Sequence, residues 1–281
     1  MKIFVTGAGG QLGHELVRVA QDNGHSVFAT SHEDLDITNP SDIRDAFAAT
    51  RPDAIIHAAA WTAVDACEGD AERAFAVNAM ATHSVAIEAR AVGARVIYIS
   101  TDYVFDGEKS GGYVESDRPN PQSVYGSSKL AGEDAMSDRD AVVRISWVCG
   151  FHGSNMVKTI LRLADSQPEL QFVDDQIGSP TFADDAATTV VRLAEEQRNG
   201  IWHLTNQGVT SWFDLARDVL SIAGLDPQRV SPISTEALKP PRPAKRPSNS
   251  VLDNSALRSA GLPLLDDFVI PLQRLVRRLR F

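Results

Sequence analysis

The sequence predicts an α/β protein, a doubly wound parallel sheet followed by a smaller C-terminal α/β lobe. Three observations predict it. Short apolar runs at 2–5, 26–30, 54–57, 95–100 and 141–146 have the length of strands buried on both faces. Helical patterns around 41–49, 70–92 and 125–136 separate them, the alternation that builds a parallel sheet through right-handed crossovers. A glycine-rich turn joins the first run to the first helix, and in such sheets ligands sit beyond the carboxyl ends of the strands.

Taken in order, Lys2-Ile3-Phe4-Val5 runs into Thr6-Gly7-Ala8-Gly9-Gly10-Gln11-Leu12-Gly13 and then a helix whose apolar stripe holds Leu16, Val17 and Ala20. Gly24 introduces the second strand, Ser26 to Thr30. After about residue 148 the pattern loosens. A helix near 155–165, a short strand Leu170 to Val173, a helix 183–196, a strand Ile201 to Leu204 and a helix 211–223 read as the smaller lobe. Five of the 14 prolines fall between Pro232 and Pro247, interleaved with Lys239, Arg242, Lys245 and Arg246, which marks a long, stiff, basic loop. The last helix carries Arg274, Arg277, Arg278 and Arg280, a solvated face suited to a helix C-terminus.

Composition narrows the function. The chain has 281 residues, 43% hydrophobic and 23% charged, enough to bury a sizeable core and far from the regime of disordered chains. No run of about 18 apolar residues is present and the N-terminus lacks the apolar stretch of a secretory signal, so a cytoplasmic protein with no membrane association is expected. The net charge is −10 and the isoelectric point about 5.1, which argues against nucleic acid as a partner. Two cysteines, Cys67 and Cys149, are too few for a disulfide framework or a CxxC metal site, and the seven histidines form no metal-binding pattern.

Gly7, Gly10 and Gly13 sit where missing side chains allow a tight turn, close approach of backbone to a diphosphate, and close packing of helix on sheet. A Rossmann-type dinucleotide-binding domain over residues 1–148 is therefore expected, with a substrate lobe mainly over 149–281 and a segment of about 180–198 packing back on the first. Thr30, Ser31 and His32 stand at the end of the second strand, where an acidic residue would select NAD, so the 2′-phosphate of NADP is not repelled there. Glu33 and Asp34 lie a few residues on and no arginine is near, which points to NADPH with NADH tolerated.

The second constellation is Tyr125-Gly126-Ser127-Ser128-Lys129. Four residues apart on a helix, the phenol and the ammonium share a face, and a nearby cation is expected to lower the phenol pKa from about 10. Ser100 and Thr101 end the strand before it, where a hydroxyl can hydrogen-bond a carbonyl oxygen while the phenol delivers a proton. Together these groups specify hydride chemistry at a carbonyl.

These residues resemble the extended short-chain dehydrogenase/reductases, whose Thr-Gly-x-x-Gly-x-x-Gly and Tyr-x-x-x-Lys patterns occur here in order. Within that family the chain is similar to the reductases of dTDP-linked 4-keto-6-deoxysugars. The resemblance is carried by residues 58–65, 100–107, 124–126, 129–133, 144–148, 174–181 and 246–253, and so spans nearly the whole chain. It implies that Tyr125 donates the proton, Lys129 holds the nicotinamide ribose, and Thr101 orients the C4 carbonyl of dTDP-4-dehydro-L-rhamnose, giving dTDP-L-rhamnose. By the same resemblance Gly10, Gln11 and Leu12 line the diphosphate, Asp36 and Ile37 flank the adenine, and Ala58, Ala59, Ala60 and Thr62 lie along the cofactor. Asp102, Tyr103 and Trp147 would contact the sugar.

Related sugar 4,6-dehydratases carry Thr-Asp-Glu where this chain has Thr101-Asp102-Tyr103, and without the second carboxylate reduction is favoured over elimination. Some reductases of the family are magnesium-bridged dimers. Glu15 matches one acidic position, but the arginine-rich last helix offers no carboxylate, so no metal is expected and a monomer or a homodimer fits. Arg246, with its two-pronged donor geometry, is a candidate for the nucleotide-sugar diphosphate. Two alternatives stay open: a sister reductase of another 4-keto-6-deoxysugar, and a non-catalytic NADP-binding regulatory subunit, against which the retained Tyr125, Lys129 and Thr101 speak.

Overall fold

In the computed structural model, which describes residues 1–280, alternation along each strand sends side chains to two different apolar layers. The first five strands are β1 (Lys2–Thr6), β2 (Ser26–Thr30), β3 (Ala54–His57), β4 (Arg95–Thr101) and β5 (Ala141–Ile145). With the strand Gly200–His203 they form one parallel sheet, in the order Gly200–His203, β5, β4, β3, β1, β2. Ile3, Val5, Ile56, Ile97, Ile99, Val143 and Ile145 face one way, onto the helices Gln11–Asp22 (α1) and Ala183–Glu195. Phe4, Ile55, Val96, Tyr98 and Val142 face the other, onto the helices Pro40–Thr50 and Ala81–Ala91. Covering both faces is why the strands read as continuous apolar runs rather than alternating ones.

The order places β1 between β2 and β3, so the chain winds outward in opposite directions from that point. A crevice opens there above the carboxyl ends. A third apolar cluster holds the second half together, with the helices Met156–Ser166, Trp212–Ile222 and Val269–Arg280 around the parallel pair Leu170–Val173 and Val230–Ile233. The second half is not wholly separate. Between 183 and 203 the chain returns to the first layer, its helix packed against α1 and its strand paired with β5.

One expected element is divided. The helix anticipated over 70–92 consists of Ala71–Phe75, a π-helical turn Ala76–Met80, and Ala81–Ala91. The wider turn carries Asn78, whose Oδ1 accepts the Trp61 N–H at 2.8 Å and whose Nδ2 donates to Trp61 O at 3.1 Å and Ser128 Oγ at 3.0 Å. Such insertions recur where a helix must aim a side chain at a site.

Candidate active site

The crevice is a cleft of about 1190 Å³, and Gly7, Gly10, Thr30, Asp36, Ile37, Ala58, Ala59 and Ala60 all line it. Its floor is backbone. A Cβ on Gly7, which has φ +72°, would lie 2.6 Å from Ala59 N, and one on Gly13 would lie 2.1 Å from Gly7 O. Helix α1 begins at Gly10 with no side-chain cap and no acidic residue in its first turn, so its free N–H groups and dipole are left for an anion. A dinucleotide diphosphate fits this cradle because only backbone is close enough to receive it.

Some expected cofactor contacts are narrower than the sequence suggests. Leu12 is buried in the apolar layer beneath and has only its backbone N–H to offer a phosphate, while the Gln11 side-chain oxygen accepts the Asn155 amide at 2.9 Å. Thr62 lies exposed beside the helix Val64–Gly69, its carbonyl accepting the Val64 N–H at 2.9 Å, and is not part of the cleft wall. At the end of β2 the Ser31 N–H and hydroxyl donate to Asp34 Oδ2 at 2.8 and 2.7 Å. An acidic group thus folds back to the strand end from three residues on, which lessens the advantage of a 2′-phosphate there.

Tyr125 and Lys129 both lie on the helix Val124–Glu133, capped by Ser123 Oγ accepting the Gly126 N–H at 3.1 Å. Gly126 lets that helix lie against the loop after β4, since a Cβ there would meet Tyr103 O at 2.1 Å. Lys129 is buried and its Nζ donates to Ile99 O at 2.7 Å, above the Tyr98 ring at 4.1 Å. Burial pulls its pKa down to about 7, against the attraction of Glu133. Tyr125 packs edge-on to Tyr103 with ring centroids 5.5 Å apart. The expected lowering of its pKa does not occur: burial pushes the phenol well above its ordinary value, and contact with the Thr101 hydroxyl only partly opposes this. A group meant to give a proton is thereby kept protonated at neutral pH.

Thr101 ends β4, its hydroxyl donating to Asp102 Oδ1 at 2.9 Å and accepting the Tyr103 N–H at 3.2 Å. Asp102 is buried beneath the site with Oδ2 unpartnered, and burial raises its carboxyl to about 6. Trp147, just after β5, has φ +48° and stacks on Trp212 with centroids 3.5 Å apart and interplanar angle 7°. Gly178 leaves room for that indole, since a Cβ there would lie 2.6 Å from Trp147 Cε2. Arg246 is committed to Asp65 through two bonds of 2.6 and 2.7 Å, which spacing alone does not reveal.

Sequence reasoning passed over Asn78 and Trp212, and gave no role to Asp65 or Gly178, which it met only within stretches that carry the family resemblance. His57 was also missed. Its Nδ1 lies 2.7 Å from Thr6 Oγ1 and its Nε2 3.1 Å from Thr82 Oγ1, and burial, with Lys129 nearby, holds the ring neutral by lowering its pKa to about 3. Among the described residues no group of three or more His, Cys, Asp or Glu side chains is placed to hold a metal ion. Glu15 bonds Arg18 at 2.8 Å and Arg274 bonds Asp184 and Asp185. No described helix is long and apolar enough to cross a membrane.

A backbone cradle for a dinucleotide at the switch point of a parallel sheet, with a tyrosine, a lysine and a strand-end hydroxyl beside it, defines a nicotinamide-dependent oxidoreductase of the short-chain type. The chain belongs to the family described as RmlD substrate binding domain, which matches residues 1–281. It is similar to a dTDP-4-dehydrorhamnose reductase of Streptomyces griseus, 41% identical over 268 residues that cover 92% of this chain and 88% of the relative. Among solved structures, a dTDP-4-dehydrorhamnose reductase from Clostridium acetobutylicum superposes with a TM-score of 0.96 at 39% identity, covering 100% of both chains. One from Bacillus anthracis, in complex with NADP, does so with 0.94 at 36% identity, covering 99% of each.

Proposed function

We propose that the chain reduces the C4 ketone of dTDP-4-dehydro-L-rhamnose to dTDP-L-rhamnose with NADPH, and accepts NADH. The observation that carries this reading is the approach of Tyr125 and Lys129, from one helix, to the end of β4, where Tyr125 contacts the Thr101 hydroxyl and Lys129 Nζ bonds Ile99 O. The names of the related reductases and the NADP held by one of them support it. Gly7, Gly10 and Gly13 hold the diphosphate, with the backbone of Gln11 and Leu12. Asp36 and Ile37 flank the adenine, and Ala58 to Ala60 form the wall. Bound there, the reduced nicotinamide supplies a hydride.

The protein's own groups do the rest. Thr101 orients the ketone oxygen, and the buried phenol of Tyr125 transfers its proton to that oxygen as the C4 carbon becomes tetrahedral. Lys129 holds the nicotinamide ribose and, with its pKa near 7, can restore the proton to the phenolate. Asp102, Tyr103 and Trp147 contact the sugar, with 149–281 contributing most of the substrate lobe. With a phenol at Tyr103 in place of a second carboxylate, the acid and base pair that elimination requires is incomplete. The reaction calls for no metal, and the reading places the protein in the cytoplasm as a monomer or homodimer.

The test is NADPH oxidation by the purified protein, followed by loss of nicotinamide absorbance, with dTDP-4-keto-6-deoxyglucose alone and then with a 3,5-epimerase added. Turnover only with the epimerase is expected. Turnover with the sugar alone makes the protein a sister reductase, and none in either case, with NADPH still bound, makes it a non-catalytic subunit.

A further inference from the structure

Outside the catalytic trio, the basic loop holds one guanidinium in a telling way. Asp65, in the first turn of the helix Val64–Gly69, takes Arg246 end-on, Nη1 donating to Oδ1 at 2.6 Å and Nη2 to Oδ2 at 2.7 Å. The other hydrogen of Nη1 goes to Ala244 O at 2.9 Å, and the Ala244 N–H donates to Asp65 Oδ1 at 3.2 Å. A guanidinium has five N–H donors. Three of Arg246 are spent in these bonds, and the two left, Nε–H and the outer hydrogen of Nη2, lie parallel along one edge. That edge is the geometry that grips two oxygens of a phosphate.

The edge is sheltered, because the Arg246 side chain is only 18% exposed. It is also close to the chemistry: its charge reaches the Tyr103 phenol, and Tyr103 packs on Tyr125. The carboxylate of Asp65 is outnumbered locally, since Arg242 Nη1 also approaches its Oδ2 at 3.5 Å. Glu68, the other acid facing Arg246, is engaged by the Val124 N–H at 2.8 Å. A closed ring of bonds therefore holds Arg246 in one orientation before any ligand arrives, which removes an ordering cost from binding.

We propose that Asp65 is a positioning residue that presents the open edge of Arg246 to a phosphate of a nucleoside-diphosphate sugar, a step that rests on the nucleotide-sugar reading above. The test is calorimetric binding of dTDP and of thymidine to the NADP⁺-saturated protein, as wild type, Asp65→Asn and Arg246→Lys, with steady-state kinetics alongside. In both variants the Kd for dTDP and the KM for the nucleotide sugar are expected to rise roughly tenfold, with thymidine binding, kcat and the KM for NADPH held. Lysine keeps the charge and loses the two-donor edge, so unchanged dTDP binding in Arg246→Lys overturns the inference even if Asp65→Asn fails to fold. Unchanged dTDP binding in the variants overturns the inference alone, and tighter binding in Asp65→Asn does too, by showing that the carboxylate competes with the ligand. A wild type that binds dTDP no better than thymidine overturns both this inference and the nucleotide-sugar reading.

Discussion

The two regions proposed to take cofactor and sugar are built differently. Where the cofactor is proposed to bind, backbone comes to the surface of the cleft: a glycine turn, a helix N-terminus and three alanines after β3. In the region proposed to take the sugar they are side chains brought from far apart in sequence, Trp147 against Trp212 and Gly178, and Arg246 against Asp65 across 181 positions. A backbone cradle serves any dinucleotide with the same diphosphate. Side chains set by distant partners can be exchanged singly, and selectivity for one sugar is expected to reside there.

The largest expected effect is at Tyr125, the proposed proton donor. Tyr125→Phe should lower kcat by about 10³-fold while NADPH affinity, measured by fluorescence titration, stays as in wild type. A fall below about tenfold would remove the phenol as proton donor.

Asp102 tests what burial costs. Its folded pKa, raised to about 6 from 3.8, means that the native state binds the extra proton between those values, so this group's contribution makes stability fall as pH rises from 4 to 6 and stay low above it. Asp102→Asn removes that penalty. Relative to wild type it should gain about 3 kcal/mol across that window in urea melts, with no further gain up to pH 8. A gain independent of pH would show that burial does not raise the carboxyl, and a gain still growing up to pH 8 would show that it stays protonated in the folded protein.

The mildest prediction sharpens the contrast between the two regions. Trp212→Ala removes the stacking partner of Trp147, and the KM for the nucleotide sugar should rise roughly tenfold while that for NADPH holds. Equal rises in both would mean that the two regions do not act separately.

What could be read from the chain alone follows this division. The strand, turn and helix at 2–22 were legible because each depends on neighbours in sequence: apolar runs for strands, glycines where a Cβ would strike backbone, a Tyr and a Lys one helical turn apart. The π turn at Ala76–Met80 was not, because its cause is a side chain reaching Trp61 and Ser128. Spacing placed Tyr125 beside Lys129 but misjudged the phenol, because the sign of its shift depends on how much water burial removes, and spacing carries no measure of burial.

By itself, then, the sequence determined the α/β alternation, the glycine turn between β1 and α1, and the placing of Tyr125 and Lys129 one helical turn apart, since local backbone geometry and residue chemistry suffice for those. Tertiary structure alone decided that Lys129 loses its water and comes down to about 7, that Trp147 is held at φ +48° between Trp212 and Gly178, and that Arg246 meets Asp65. Desolvation and contacts between distant residues come into being only when the chain has closed on itself.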